Sequence, residues 1–423
     1  MSDAQSHVRP SALELTDVPA NRTSSSGAIV VAVVLGSSGT VGSDVLAPYE
    51  VFASSPNFSV YTIAAQPNPA PVDGGPAIVP TYTFQDVRSG RARQPDVVVI
   101  PAVGAPEGPA EAALRVWVVE QSARGARILA VCNGSNVLAG TGLLDGRKAT
   151  SHWSRLGALK KSHPQVQWLG GLRFVQDGMI TTTAGVTSGI PGALKVMADL
   201  AGIDEADRVG RLVNYPGWSA AGSASIPVQS FDVGDISVGL NALVPWLRPT
   251  IGVGLVNGVG EIDVASAFEV YNTSFAARTV AVAATETVTT KHGMVLQAIP
   301  EAQAPPVDRV IAPGAAQGQD IEPHLRDWAS SRNVPVEALA GSGGVLGFDG
   351  ALDYLAQHTD RTTALSAAKM IDYPTAHLNL PTGGTNIRVP ILLALGLLLA
   401  VLIGALPAII RTAIRRQAVR QMK

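Results

Sequence analysis

The sequence predicts an α/β protein built on an open parallel sheet. Short runs rich in valine and isoleucine, such as residues 28–35 and 95–101, have the composition of buried strands. Glycine-containing turns follow such runs, and amphipathic helical patterns follow the turns. The 43 glycines and 29 prolines imply many tight connections, which short strand–turn–helix units require.

The size and charge of the chain narrow the classes of function. Its 423 residues are enough for two or three domains, and its composition is 46% apolar and 15% charged with a net charge of −2. We find no basic stripe, zinc-ligand spacing or recognition-helix pattern, so the sequence predicts no nucleic-acid partner. One cysteine excludes a disulfide within the chain.

The two ends of the chain differ in character. Residues 1–27 are polar and predict a disordered tail. Residues 389–410 form an uncharged run of 22 residues, and a helix of that length, at about 1.5 Å per residue, crosses a hydrocarbon core of about 30 Å. The basic segment 411–423 then predicts a single-pass membrane helix with a cytoplasmic C-terminus. The alternative is a buried core helix.

The side of the membrane that holds residues 1–388 stays open. The charge rule places them outside the cytoplasm, which requires a leader, and residues 1–27 lack the apolar core of a signal peptide. Either a leader precedes the sequence, or the soluble part lies inside against the charge rule.

An α/β unit appears twice in the sequence. Residues 31–53 align without gaps with residues 251–272 over most of their length, which places Asp44 on Asp263 and Glu50 on Glu269. Later segments also recur: 95–101 against 307–313, and 189–216 against 347–374. The alternative is a coincidental likeness between two α/β segments.

The second unit is shorter and lacks the cysteine. We therefore predict that it is a degenerate, non-catalytic copy that packs on the first unit or binds something else. The predicted organisation is a disordered tail (1–27), a first unit (28–217), a linker (218–248), a second unit (249–376), a linker (377–388), the membrane helix (389–410) and a basic tail (411–423).

Cys132 stands where a nucleophile is expected. It ends the apolar run 127–131, and the small residues 133–136 and a helical pattern follow it. This order predicts a strand, a sharp turn and a helix whose first amides point at the sulfur and stabilise a thiolate. The alternative is a buried structural thiol.

Asp44 and His152 are candidates for the proton chemistry. Asp44 follows the first strand and Cys132 a later one, and ligands in open parallel sheets bind at these carboxyl ends. His152 follows a brief strand that can return it to the same crevice. A protonated carboxyl or an imidazole would serve the thiol, and the amides of Gly104 and Asn133 would form an oxyanion hole. The alternatives are a helix cap for Asp44 and an ordinary buried histidine.

Cofactor motifs are weak in this sequence. The glycine-rich stretch 36–42 matches neither a dinucleotide fingerprint nor a phosphate-binding loop, and the histidines show no metal-ligand spacing. We predict no metal and no cofactor.

Residues 130–153, AVCNGSNVLAGTGLLDGRKATSHW, resemble the nucleophile segment of the ThiJ/PfpI superfamily, and 174–194 and 43–53 resemble its neighbouring motifs. The likeness is greatest to the branch of isonitrile hydratases and AraC-type N-terminal domains. It implies a flavodoxin-like sandwich of the class I glutamine amidotransferase type, with Cys132 as nucleophile, Asp44 as its acidic partner and His152 near the pocket. Asn133 stands where this branch has threonine, Ala47 and Pro191 replace its usual glycine and aspartate, and no helix-turn-helix follows.

Two functions of different class remain. The first is a membrane-anchored, cofactor-independent cysteine hydrolase, hydratase or lyase that acts on a small electrophile, and this is the one we favour. The second is a non-catalytic small-molecule or redox sensor on the same fold. A peptidase is a weaker third option, since such relatives rely on oligomers to complete the site, and the sequence leaves open whether copies of the chain associate.

Overall fold

The computed structural model describes residues 27–316, 318–339, 347–382 and 394–407. The predicted disordered tail lies outside these residues except for Gly27, and the predicted basic tail 411–423 lies outside them entirely.

The first unit contains twelve strands and seven helices in the described part of the chain. The strands are β1 (Ile29–Val34), β2 (Thr40–Val41), β3 (Phe58–Ala64), β4 (Val72–Asp73), β5 (Ile78–Val79), β6 (Tyr82–Thr83), β7 (Val97–Ile100), β8 (Arg127–Ala130), β9 (Lys148–Ala149), β10 (Gln167–Trp168), β11 (Phe174–Asp177) and β12 (Ile180–Thr183). The helices are α1 (Gly42–Ala53), α2 (Phe84–Arg88), α3 (Ala112–Ala123), α4 (Gly134–Ala139), α5 (Trp153–Ser162), α6 (Gly189–Ala201) and α7 (Ile203–Leu212).

Seven of these strands form the central sheet of the first unit. Their order is β11-β12-β8-β7-β1-β3-β6, and β11 alone runs antiparallel to its neighbour. Alternate residues of β1 pack into hydrophobic clusters on opposite faces of the sheet, one with α1 and α6 and the other with α3 and α4. Burial on both faces explains why the strand is apolar throughout. The predicted flavodoxin-like α/β fold is confirmed.

A second sheet follows the segment 218–248, which is not only a linker because it contains the helix α8 (Ile236–Leu243). The strands of the second unit are β13 (Thr250–Gly254), β14 (Arg278–Ala283), β15 (Thr287–Thr289), β16 (Val295–Gln297), β17 (Ile299–Pro300), β18 (Arg309–Pro313) and β19 (Val336–Leu339). Its helices are α9 (Glu261–Ser274), α10 (Pro323–Ser331), α11 (Gly347–His358) and α12 (Arg361–Met370).

The strand order of the second sheet repeats part of the first. The second sheet is parallel with the order β17-β14-β13-β18-β19, and the first contains β6-β3-β1-β7-β8. In each series the chain starts at the central strand, adds two strands on one side and then adds two on the other side. The segments that align in the sequence therefore occupy equivalent positions in the two sheets.

The two units are joined by a continuous apolar interface. Helix α1 packs against α9, and one hydrophobic cluster includes residues from both units, among them Phe52 and Phe268. Strand β5 of the first unit also pairs with β16 of the second. Because the core crosses the boundary, each unit supports the side chains at the other unit's edge.

The predicted membrane helix lies partly outside the described residues. Residues 394–407 are helical, and residues 389–393 and 408–410 are not described. Among the helices that the structure describes, none combines the length and the apolar character needed to cross a bilayer.

Candidate active site

The predicted nucleophile turn is present at the end of β8. Cys132 has a φ of 54°, in the left-handed region that a non-glycine residue adopts only under constraint. Gly134 begins α4, and a Cβ atom there would lie 2.2 Å from the carbonyl oxygen of Ile100. This close approach requires glycine and holds the turn against the neighbouring strand.

Hydrogen bonds from three directions fix the backbone of Cys132. Its amide donates to Thr183 Oγ1 at 3.3 Å, and its carbonyl accepts from Ser135 Oγ at 3.2 Å and Ser151 Oγ at 3.1 Å. The Asn133 amide donates to the sulfur, as the sequence predicts. The strained turn is thus held by side chains from β12, α4 and the segment after β9.

Asp44 lies beside the thiol and does not cap its helix. The N-cap of α1 is Val41, and Asp44 Oδ2 accepts a hydrogen bond from the Ala102 amide at 2.9 Å. Among the described residues, Asp44 Oδ1 has no hydrogen-bond partner, although the side chain is completely buried. Burial raises the pKa of Asp44 well above its ordinary value, and the nearby carboxylate of Glu269 raises it further. A buried carboxyl with one free oxygen is suited to exchange a proton with its neighbour.

The surroundings of the thiol correct one expectation. Burial raises the pKa of Cys132 well above its ordinary value, the charge of Asp44 raises it further, and the Asn133 amide only partly opposes them. The turn alone therefore does not stabilise a thiolate. The thiol and Asp44 instead share one low-dielectric site, where losing the thiol proton is favourable only if a neighbouring group accepts it.

His152 is engaged elsewhere, which corrects its predicted role. Its Nδ1 accepts from the Ser154 amide at 3.3 Å as the N-cap of α5, and its Nε2 lies 2.7 Å from the Met370 carbonyl oxygen. Because a carbonyl only accepts, Nε2 carries the hydrogen. Burial lowers the pKa of His152, so the ring is neutral. Both ring nitrogens are engaged in these contacts, as expected of a partly buried histidine with a structural role.

The amide of Gly104 already donates a hydrogen bond within the protein, so it is not available as an oxyanion donor. Its amide donates to the Gly39 carbonyl at 3.0 Å, and a Cβ atom on Gly104 would lie 2.4 Å from the Ser38 carbonyl oxygen. The glycine is needed for the close contact between two loops. Of the two predicted oxyanion donors, Asn133 alone directs its amide to the sulfur.

The second unit supplies two carboxyl groups to this site that the sequence analysis missed. Glu269 on α9 accepts a hydrogen bond at 2.7 Å from the Oγ of Ser43, the residue that precedes Asp44. Asp372 follows α12 and accepts from the Gly185 amide at 2.5 Å, and burial raises its pKa to about 6. The charges of both carboxyl groups raise the pKa of Cys132. The repeat in the sequence offered a way to find both residues. Glu269 aligns with Glu50 of the first unit, and Asp372 aligns with Asn214.

The segment from Lys369 to Asp372 also covers the first unit near its cysteine. The Ile371 carbonyl accepts from the Thr187 amide and hydroxyl, both at 3.0 Å, and the Lys369 carbonyl accepts from Trp153 Nε1 at 3.3 Å. Only 6% of Cys132 is exposed. Access of a small molecule to the thiol therefore requires a narrow opening or a movement of this segment.

Glu50 makes the contact with the second unit that Glu269 makes with the first. Its Oε2 accepts from the Ile262 amide at 2.6 Å. Burial raises the pKa of Glu50 to about 7, and the neighbouring charges of Glu261 and Asp263 contribute while His292 opposes them.

We expect the protein to lose stability as the pH rises from 5 to 8. The folded pKa of Glu50 exceeds the ordinary value of 4.5, so the folded state binds more protons than the unfolded state between pH 4.5 and 7. The stabilisation is complete below that window and lost above it, by up to about 3 kcal/mol for this group. The measurement is urea unfolding at pH 5 and pH 8.

Glu50→Gln is the matched variant because its amide oxygen still accepts from Ile262. We expect the variant to be more stable than the natural protein at pH 8 and to depend less on pH. If the stability of the two proteins depends equally on pH, ionisation of Glu50 does not destabilise the folded state, and the prediction is wrong.

Comparisons with known proteins agree with this architecture. The DJ-1/PfpI family model matches residues 30–199. The chain is 31% identical over 211 residues to an isonitrile hydratase of Pseudomonas putida, covering 48% of this chain and 82% of that protein. It is 34% identical over 134 residues to the HTH-type transcriptional regulator CdhR of Pseudomonas aeruginosa, covering 31% of this chain and 39% of the regulator.

A solved structure of a THiJ/PfpI family protein from Pseudomonas syringae is 28% identical with a TM-score of 0.41, and covers 57% of this chain and 94% of that one. The hydratase alignment spans most of the hydratase, and the residues that the family model matches include the strand, turn and helix around Cys132. The chain belongs to the DJ-1/PfpI family.

Proposed function

We propose that the protein is a cofactor-independent cysteine enzyme that adds water to a small electrophilic substrate. The observation that carries the proposal is the pairing of Cys132, on a strained turn, with the buried Asp44 and its free oxygen. The hydratase among the relatives makes small isonitriles the first substrates to test. Small dicarbonyl compounds and amides are the next classes.

The chemistry follows from the two side chains. The sulfur of Cys132 attacks the electrophilic carbon of the substrate while its proton passes to Asp44. Asp44 then protonates the substrate, and water displaces the sulfur to regenerate the thiol. For an isonitrile the net reaction adds one water molecule and yields an N-substituted formamide. The Asn133 amide, which donates to the sulfur, would stabilise negative charge that develops next to the sulfur during the reaction.

We also propose that residues 249–376 are a shortened, non-catalytic copy of the first unit. The shared strand order and the reciprocal glutamates Glu50 and Glu269 support this proposal. The copy would then complete the first site from within the same chain, through Glu269 and the segment that ends at Asp372.

A non-catalytic sensor is the second candidate. The nearly complete burial of Cys132 and the contacts of Met370 and Asp372 over the site favour it, since a sensor needs a ligand-dependent rearrangement more than rapid exchange. A transcriptional regulator among the relatives also supports it, although that alignment spans only 39% of the regulator.

The test is a turnover assay of the full chain with a panel of small isonitriles, dicarbonyl compounds and amides. Products are identified by mass spectrometry, with Cys132→Ala as the background. We expect catalytic formation of a hydrated product from at least one class. Tight binding of a panel member without turnover would favour the sensor and reject the enzyme.

A further inference from the structure

Several buried polar atoms around Cys132 have no hydrogen-bond partner among the described residues. They are Asn133 Oδ1, Ser188 Oγ and Asp372 Oδ1, in addition to Asp44 Oδ1. Ser188 is completely buried, and only 7% of Asp372 is exposed. Buried polar atoms in proteins are nearly always hydrogen-bonded, so a group of exceptions at one place indicates where a ligand binds. The proposed mechanism uses Asp44 alone of these four residues as an oxygen acceptor, which leaves the other three oxygens to bind the substrate.

The free oxygens of Ser188 and Asp372 belong to two segments that lie against the cysteine turn. Ser188 is in the turn after β12, and a Cβ atom on the next residue, Gly189, would lie 2.9 Å from Val131 Cγ1. Asp372 accepts from an amide of the same turn with its Oδ2, and its charge raises the pKa of Cys132. Both units of the chain therefore place a free oxygen close to the thiol.

These oxygens require a ligand that donates hydrogen bonds. An amide or carboxylate oxygen only accepts, and a hydroxyl oxygen can accept. We infer that the substrate is a small amidine, whose reacting carbon carries N–H groups on two nitrogen atoms. The inference rests on the proposed function, because it names the substrate class of the same site. An isonitrile has no N–H group, so it would leave the buried oxygens unpaired, and sites built for N–H groups strongly disfavour ligands that lack them.

Hydrogen-bond donors around Cys132 already have acceptors. The hydroxyls of Ser135 and Ser151 donate to the Cys132 carbonyl, and the Gly104 amide and His152 Nε2 also donate within the protein. Attack of a thiolate on a carbonyl carbon creates an oxyanion that free donors would have to stabilise. Attack on an amidinium ion joins a negative sulfur to a positive group and creates no new charge. Because these donors are occupied and several acceptors are free, the described part of the site favours an amidine over an amide or a dicarbonyl compound.

The charge near the thiol agrees with a cationic substrate. Burial raises the pKa of Asp372 to about 6, so this carboxyl group is ionised at pH 8. Arg173 opposes the shift only in part, and its Nη1 donates to Tyr215 Oη at 2.8 Å. An amidinium group can therefore both pair with the charge of Asp372 and donate to its free oxygen.

The reaction balances with water as the second reactant. The thiol proton passes to Asp44 while the sulfur bonds to the amidinium carbon. The proton then passes to one nitrogen, the carbon–nitrogen bond breaks, and ammonia leaves. Water attacks the same carbon and the carbon–sulfur bond breaks, which regenerates the thiol. The net reaction converts an amidinium ion and one water molecule into an amide and an ammonium ion.

The experiment compares acetamidine, acetamide and acetate, which have nearly the same shape and carry N–H groups on two, one and no atoms. Ammonia release by the full chain is measured at pH 8 with Cys132→Ala as the background, and mass spectrometry identifies the product. We expect kcat/KM to be at least about 100-fold higher for acetamidine than for acetamide. A second readout needs no turnover: acetamidine should slow the alkylation of Cys132, whereas acetamide and acetate should not.

Ser188→Ala and Asp372→Asn each remove one of the free acceptors. Ser188 makes no side-chain cap at the start of α6, so its loss should leave the helix intact. In Asp372→Asn the amide oxygen can still accept from Gly185, and the amide nitrogen then takes the place of the free oxygen. Each variant should lower kcat/KM for acetamidine and its protection of Cys132 at least about tenfold. Asp327→Asn, an exposed change on α10, is the control and should leave both unchanged.

The inference is overturned if acetamidine neither reacts nor slows alkylation, and turnover of an isonitrile in that case keeps the proposed function. It is also overturned if acetamide protects Cys132 as well as acetamidine does, or if Ser188→Ala and Asp372→Asn behave like Asp327→Asn. Protection by acetamidine without turnover of any compound rejects the proposed enzyme and keeps the preference of the site for N–H groups. Thermal melting checks the fold of each variant, and Ser188→Ala still decides if Asp372→Asn does not fold.

Discussion

Cys132→Ala is expected to reduce turnover to the background rate, a loss on the order of 10⁴-fold or more. In the proposed mechanism the sulfur forms the covalent bond to the substrate, and Cys132 is the single cysteine of the chain. No other thiol can substitute for it. The fold should survive, because the alanine side chain is smaller and the hydrogen bonds at this turn use the backbone of residue 132.

The measurement is kcat/KM on the substrate found in the panel, with melting temperature as the check of folding. Ser162→Ala, a change of one exposed hydroxyl on α5, is the control and should keep full activity. Cys132→Ser should also be inactive, because a serine hydroxyl holds its proton more tightly than a thiol. Turnover by a well-folded Cys132→Ala protein would reject the covalent mechanism.

Asp44→Asn is expected to lower kcat/KM by roughly 10²- to 10⁴-fold. The asparagine oxygen can still accept from the Ala102 amide, so the local structure is kept while the exchangeable proton is lost. Near neutral pH, an alkylating reagent should also modify Cys132 faster in this variant than in the natural protein. The charge of Asp44 raises the pKa of the thiol, and the substitution removes that charge.

The two readouts separate catalysis from simple damage. If the substitution only disordered the site, turnover would fall without the predicted rise in the alkylation rate of Cys132. If it removes the proton exchange between Cys132 and Asp44, turnover falls and the alkylation rate of Cys132 rises. Asp177→Asn, a change of one partly exposed carboxyl group on the edge strand β11, serves as the matched control. Activity within threefold of the natural protein would remove Asp44 from the mechanism. Slower alkylation would show that a protonated Asp44 donates to the thiolate, as the sequence pattern predicts.

The core of the candidate site was predictable from local sequence. A buried strand, a turn of small residues and a helix identify the position of Cys132, because the close contact of Gly134 with Ile100 restricts the residue types there. Asp44 was predictable because the carboxyl ends of neighbouring parallel strands meet at one edge. Both predictions depend on residues close to a strand end, where the fold leaves little freedom.

His152 and Gly104 show where local reasoning stops. Each lies in the expected region of the chain, but its hydrogen-bonding groups already have other partners. The ring nitrogens of His152 contact Ser154 and Met370, and the amide of Gly104 donates to Gly39. A sequence pattern identifies a group that can donate or accept a proton. It does not reveal which partner already holds that group.

The sequence by itself determined the fold of the first unit and the strand, turn and helix that position Cys132, because periodicity, turn residues and motif spacing are properties of short segments. The tertiary structure alone decided which groups surround the thiol. Glu269 and Asp372 lie more than a hundred residues from Cys132 and reach it because α1 packs on α9. The same packing buries the thiol and raises its pKa, since desolvation depends on everything that excludes water from the site.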